Sequence, residues 1–191
     1  MQTERIINID LDGVIYPWHE TFKEWAENQL DRELPEITHW DFYEDWGLTA
    51  GGFKNLFRRG VEYGHIWDRD VPPVKGAIQS LWSLSDDGYY IRILTHRLAH
   101  KFGHKLAVDQ TVAWLDRNSI PYRSLAVIGS EPKTNYPARV LLDDSSSNLL
   151  QWDRAYGTAI RYIRPWNESM PGLDAVADWE EAEITIRSMV R

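Results

Sequence analysis

Two aspartates at alternate positions, Asp10 and Asp12, are the first residues in this chain arranged for chemistry. They close the run Arg5-Ile6-Ile7-Asn8-Ile9 and precede Gly13, the pattern of a buried strand that breaks into a tight turn. Side chains at i and i+2 of a strand point to the same side, so both carboxylates are presented where the strand ends. A carboxylate pair suits metal binding or a split into two protonation states. Phosphoryl transfer uses such a pair with one group as nucleophile and the other as proton carrier. The plain alternative is a pair that only stabilises the turn, and Asp10-Leu11-Asp12-Gly13 alone leaves the two readings about even.

Three further segments tip that balance. Ile93-Leu94 runs into Thr95 and His96, which offer a hydroxyl and the following backbone N–H groups to a phosphate oxygen. Lys133, in the loop after another apolar run, is placed to neutralise charge on a transferring phosphoryl group. Arg139-Val140-Leu141-Leu142 ends at Asp143-Asp144, a carboxylate pair suited to a hard cation such as Mg²⁺.

Positioning these residues requires strands that all end at one edge. Strands are predicted at residues 5–9, 90–95, 125–129, 139–142 and 158–163. Helical spacing links Val74, Ala77, Ile78, Leu81 and Trp82, then Ala107, Thr111, Trp114 and Leu115, and at the C-terminus Val176, Trp179, Ile186 and Met189. Strands alternating with helices predict an α/β fold with a parallel sheet covered on both faces. Ligands of such sheets bind outside the carboxyl ends of the strands, where the motifs fall.

From about Tyr16 to Pro72 the alternation stops. Phe22, Trp25, Ala26 and Leu30 trace one helix, and aromatic residues crowd the remainder. A mainly helical cap over residues 16–72, inserted into a core of residues 1–15 and 73–191, is the organisation expected. Most cap aromatics are expected to pack its core.

The chain has 191 residues, 43% apolar and 26% charged, and no apolar run of the roughly 18 residues or more that would span a bilayer. It contains no cysteine, which removes thiolate chemistry and disulfides, and the N-terminus has no secretory cleavage pattern. A cytoplasmic address is expected. A net charge of −8 argues against a nucleic-acid partner and for a small-molecule substrate.

In order, Asp10-Leu11-Asp12-Gly13, Thr95, Lys133 and Asp143-Asp144 resemble the four motifs of the haloacid dehalogenase superfamily of phosphohydrolases. The resemblance implies a Rossmann-like core in which Asp10 forms an aspartyl-phosphate and Asp12 protonates the leaving oxygen and then activates water. Thr95 and Lys133 would hold the phosphate, with His96 beside them. Mg²⁺ would be bound by Asp10, the backbone carbonyl of Asp12 and the Asp143-Asp144 pair, with Asp144 as the direct ligand and Asp143 behind it.

Within that superfamily most of the chain resembles the 5'(3')-deoxyribonucleotidases. The likeness rests on short length, a cap directly after Asp10-Leu11-Asp12-Gly13-Val14, the Ala113-Trp114-Leu115 helix and the ten-residue interval from Lys133 to Asp143. It implies a nucleoside monophosphate as substrate, with its base against Trp18, eight residues after Asp10, and against Phe42, Trp46 and Trp67. The chain departs from that pattern where His96-Arg97 follows Thr95 and where Glu131-Pro132 precedes Lys133.

Other readings stay open beside these. His96, His100 and His104 would align on a helix as zinc ligands, but Gly103 interrupts the segment and no carboxylate joins them. Arg97 could reach a substrate phosphate or form an exposed ion pair, and Ser145, Ser146 or Ser147 is expected to cap a helix. A sugar phosphate or a polynucleotide 3' end would use the same site, and a nucleotide-binding protein without turnover would keep the fold.

Overall fold

The computed structural model of the chain describes residues 5–100 and 103–190, with the side chains of all these except 99 and 100. Six strands, β1 (Ile6–Ile9), β2 (Tyr90–Thr95), β3 (Ser124–Val127), β4 (Val140–Asp143), β5 (Ala159–Tyr162) and β6 (Asp174–Val176), form one sheet in the order β3-β2-β1-β4-β5-β6. Every pairing is parallel. β1 lies between β2 and β4, where the direction of strand addition reverses, so the crevice at its carboxyl end is the natural ligand site of such a sheet.

Alternate residues of β1 and β4 feed different faces. Ile7, Ile9, Val140 and Leu142 join one buried cluster with α3 (Ala77–Asp86), α4 (His104–Arg117) and α6 (Trp179–Met189). Ile6 and Leu141 join a second cluster with Leu149 and Trp152 of α5 (Ser146–Tyr156). With both faces covered, β4 is apolar up to Asp143, and β1 is apolar except for the buried Asn8, whose amide donates to the Tyr136 carbonyl at 2.6 Å.

The five predicted strands stand within two residues of their expected bounds, and the sixth, β6, was not expected. It is a three-residue edge strand, Asp174-Ala175-Val176, with no apolar run to announce it. Val176 therefore closes β6 and is not part of the C-terminal helix, which begins after Asp178, whose carboxylate accepts the Glu181 N–H at 2.9 Å. Similarly, α3 starts at Ala77, three residues beyond Val74, because Pro72-Pro73 and Gly76, at φ 87°, precede it. Ser145 holds the N-cap position of α5, but its hydroxyl does not cap; it meets Ser147 Oγ at 3.0 Å.

Between β1 and α3 lie α1 (Trp18–Leu30), α2 (Ala50–Tyr63) and irregular chain, with no strand of the sheet. Thr49 caps α2 by accepting the Gly52 N–H at 3.1 Å. This segment builds its own apolar cluster around Phe22, whose ring lies 5.2 Å from Trp18, 5.7 Å from Trp46 and 5.6 Å from Phe57. No described helix is long and apolar enough to cross a membrane. Phe22→Ala is expected to destabilise the protein by about 3–5 kcal/mol, since truncating a buried ring leaves a cavity; urea unfolding measures it, and a loss under about 1 kcal/mol would show that this cluster can collapse around the gap.

Candidate active site

The strand ends converge on one cleft of about 650 Å³. Asp10 follows β1, Thr95 ends β2, Lys133 opens a short 3-10 turn after β3, and Asp143 ends β4. Asp10, Asp12, Thr95, His96 and Asp144 line the cleft. Lys133 and Asp143 are buried behind that surface, where Lys133 Nζ donates to Asp10 Oδ1 at 2.5 Å and to Asp143 Oδ2 at 2.7 Å.

Asp143 also accepts Ser145 N–H at 2.8 Å and Asn148 Nδ2 at 3.1 Å, so its oxygens are committed to the protein. Asp144 accepts Trp166 Nε1 at 3.1 Å on Oδ2 and faces the cleft. One oxygen from each of Asp10, Asp143 and Asp144 can lie within 4.8 Å of the others. Asp12 is not in that group: its carboxylate is turned to Arg97 and Thr95.

The electrostatics follow from burial. Burial pushes Asp10 up to about 7, against the pull of Lys133, and Asp143 and Asp12 add to the rise. Asp144 is held well above the usual carboxylate range by burial and by the charges of Asp10 and Asp143. Lys133 would be lowered by its own burial, but Asp10 and Asp143 outweigh that and hold it charged. One lysine among three buried carboxylates leaves two negative charges unmatched. An all-oxygen donor set with that excess fits a hard divalent cation. Gly13, at φ 83°, makes room: a Cβ there would stand 2.8 Å from Asp144 Cγ.

Arg97 overturns the expectation of an exposed ion pair. It is buried, borders the cleft, and grips Asp12 through Nη2 at 2.7 Å to Oδ1 and Nε at 3.0 Å to Oδ2. Its Nη1 donates to the Trp67 carbonyl at 3.1 Å and Thr111 Oγ1 at 3.0 Å, and its guanidinium stands over the Tyr16 and Trp67 rings. Thr95 Oγ1 donates to Asp12 Oδ2 at 3.3 Å. Spacing in the sequence carries no sign of this grip, which joins residues 85 positions apart.

Of the aromatics expected around the base, Trp18, Phe42 and Trp67 line the cleft. Trp46 does not: its indole is fully buried under Phe42, at 4.8 Å, and donates to the Pro35 carbonyl at 3.0 Å. Trp40, His19, Phe53 and Phe57 complete the wall, unanticipated. His96 donates from Nε2 to the Glu131 carbonyl at 3.1 Å, and burial lowers its pKa. A zinc trio with His100 and His104 is not assembled among the described residues, the His100 side chain lying outside them.

Residues 4–191 match the family model of the "5' nucleotidase, deoxy (Pyrimidine), cytosolic type C protein". The chain belongs to that nucleotidase family. It is thereby a phosphoric monoester hydrolase. A protein of Chlorobaculum tepidum, provisionally named a 5'(3')-deoxyribonucleotidase, is 34% identical over 190 residues, 97% of this chain and 91% of that one. Among solved structures, a HAD-superfamily hydrolase of Geobacter sulfurreducens matches at TM-score 0.60 and 12% identity over 96% of this chain and 97% of its own. A HAD hydrolase of Bacillus subtilis bound to magnesium matches at TM-score 0.60 and 14% identity over 96% and 98%. These two show that the nucleotidase has the haloacid dehalogenase fold.

The raised Asp10 sets a stability test for this nucleotidase. A carboxyl that titrates near 4 when unfolded and about 7 when folded makes the metal-free fold lose stability as pH rises through that window. Asp10→Asn removes the penalty, so its melting temperature in chelator should gain on wild type progressively between about pH 4 and 7. Millimolar Mg²⁺ should raise the wild type more than the variant. A difference between the two proteins that is flat with pH would show that Asp10 is not held in this state.

Proposed function

We propose that this nucleotidase is a Mg²⁺-dependent, cytoplasmic 5'(3')-deoxyribonucleotidase that hydrolyses nucleoside monophosphates through an aspartyl-phosphate on Asp10. The observation that carries the reading is one cleft lined both by the carboxylates Asp10, Asp12 and Asp144 and by aromatic rings, among them Trp18, Phe42 and Trp67. The carboxylates suit a cation that binds phosphate, and the rings suit a planar base. The family match and the Chlorobaculum tepidum relative support the same substrate class.

Residues 16–72 act as a cap over a core of residues 1–15 and 73–191 in this proposal, with Trp18, Phe42 and Trp67 against the base. Asp10, Asp144, the Asp12 carbonyl and, behind them, Asp143 hold the cation, which when bound supplies charge neutralisation to the phosphoryl oxygens. Lys133 opposes the burial that raises Asp10 and orients its carboxylate for attack on phosphorus. Thr95 and His96 border the phosphate, and Asp12 gives a proton to the departing sugar oxygen. Asp12 then takes one from the water that hydrolyses the acyl-phosphate, releasing inorganic phosphate and restoring Asp10 as a carboxylate and Asp12 as the acid. Arg97 holds Asp12 in the orientation both transfers need.

Phosphate release from ribo- and deoxyribonucleoside 5'- and 3'-monophosphates and from sugar phosphates, with and without Mg²⁺, tests the proposal. Selective turnover of deoxynucleotides, lost in Asp10→Asn, is expected; turnover confined to sugar phosphates would discard the substrate and keep the chemistry. Arg97→Met should lower kcat by about tenfold or more while KM moves little, with partial recovery in Arg97→Lys, since a misoriented proton carrier forfeits part of the roughly 10²–10⁴-fold acid–base contribution. Loss in KM alone would instead assign Arg97 to substrate binding.

A further inference from the structure

One buried polar side chain in the cleft wall has no work to do in the mechanism. His19, in the first turn of α1, is 5% exposed and lines the same cavity as Asp10 and Asp144. Its imidazole stacks on Trp166 at 3.7 Å and 30°, meets Trp18 edge-on at 4.6 Å, and is approached by Trp40 and Phe42 at 6.0 and 6.3 Å. Nδ1 is buried without a hydrogen-bond partner among the described residues. Burial, aided by the positive charge of Arg164, lowers its pKa to about 3, so the ring is uncharged at neutral pH and carries one N–H donor and one bare acceptor.

Packing does not explain that choice. A phenyl ring would stack on Trp166 equally well, without the desolvation cost of an unmatched nitrogen. Buried polar atoms in native proteins nearly always find partners, and one left open in a ligand cavity is matched by the ligand. The surrounding rings admit a planar heterocycle, whose edge carries both donors and acceptors. We infer that His19 is a specificity-determining residue that hydrogen-bonds the edge of the substrate's base, adding discrimination between bases to the stacking supplied by the aromatic wall. The inference rests on the nucleotidase substrate reading.

His19→Phe keeps the ring and removes both nitrogens, and His19→Asn and His19→Gln restore a donor and an acceptor near the Nδ1 and Nε2 positions. Steady-state kinetics on nucleoside monophosphates and on base-free deoxyribose 5-phosphate separate the roles. For the preferred nucleotide, His19→Phe is expected to lower kcat/KM by about three- to tenfold, the worth of one net hydrogen bond, mainly through KM. Preference among bases should flatten, the base-free substrate should stay within about twofold, and Asn or Gln should recover part of the loss. The melting temperature of His19→Phe should equal or exceed that of wild type. Equal losses on both substrates, unchanged nucleotide kinetics or a lower melting temperature would each overturn the role of His19 while wild type still hydrolyses nucleotides. Wild-type turnover of deoxyribose 5-phosphate with none of any nucleotide would overturn the substrate reading and this inference together.

Discussion

Lys133 placed between Asp10 and Asp143 is the contact on which the site depends. Its ammonium is buried, 2.5 Å from one carboxylate and 2.7 Å from the other, and the two partners come from the ends of neighbouring strands. Removing one member of such a group leaves an uncompensated charge in the interior, typically at a cost of about 3–5 kcal/mol. The 3-10 turn at Lys133–Asn135 must therefore return to the ends of β1 and β4, although β2 and β1 separate β3 from β4 in the sheet. Ser145 N–H and Asn148 fix Asp143 from α5, so helix, turn and two strands meet at one charge cluster. Even so, the lysine matches only part of the negative charge, and the site remains unbalanced in favour of a cation.

Asp10 and Asp12 leave the same strand end, but the fold puts them in different surroundings. Asp10 is buried against Lys133 and raised by that burial. The Asp12 side chain is 24% exposed and held by an arginine that is almost wholly covered. Two carboxylates in contrasting environments need not ionise together, so one strand end presents two groups of different acid–base character. Arg97 is itself fixed by the Trp67 carbonyl, Thr111 and two aromatic faces, so the orientation of Asp12 is set from both the inserted segment and α4.

Where chemistry repeats at strand ends, the chain is legible without coordinates. Alternation on a strand puts Asp10 and Asp12 on one side, and apolar runs of four to six residues mark five of six strands, so the convergence of Thr95, Lys133 and Asp143-Asp144 can be read in one dimension. β6 escapes that reading because three edge residues need no apolar run. Trp46 and Trp18 are indistinguishable by type and neighbourhood. Only the irregular path between α1 and α2 decides that one fills the cluster and the other reaches the cleft. Arg97 was legible as a cation near phosphate chemistry but not as the partner of Asp12, since ion pairing across 85 residues leaves no periodicity.

The aromatic abundance of the inserted segment meets two demands with one set of residues. A short helical unit has little apolar surface to bury, and large rings supply the most burial per residue. The base-binding wall proposed above would need flat apolar faces at the edge of that cluster, and Trp18 stacks on Phe22 inside while also lining the cleft. Phe42 does likewise, resting on Trp46. The wall is therefore rigid because it is the outer layer of a packed core. Stacking alone would accept any base, because every base has a π-face. In the proposed base subsite selectivity would come from a polar atom of that wall, and the buried, unpartnered Nδ1 of His19 in α1 is such an atom.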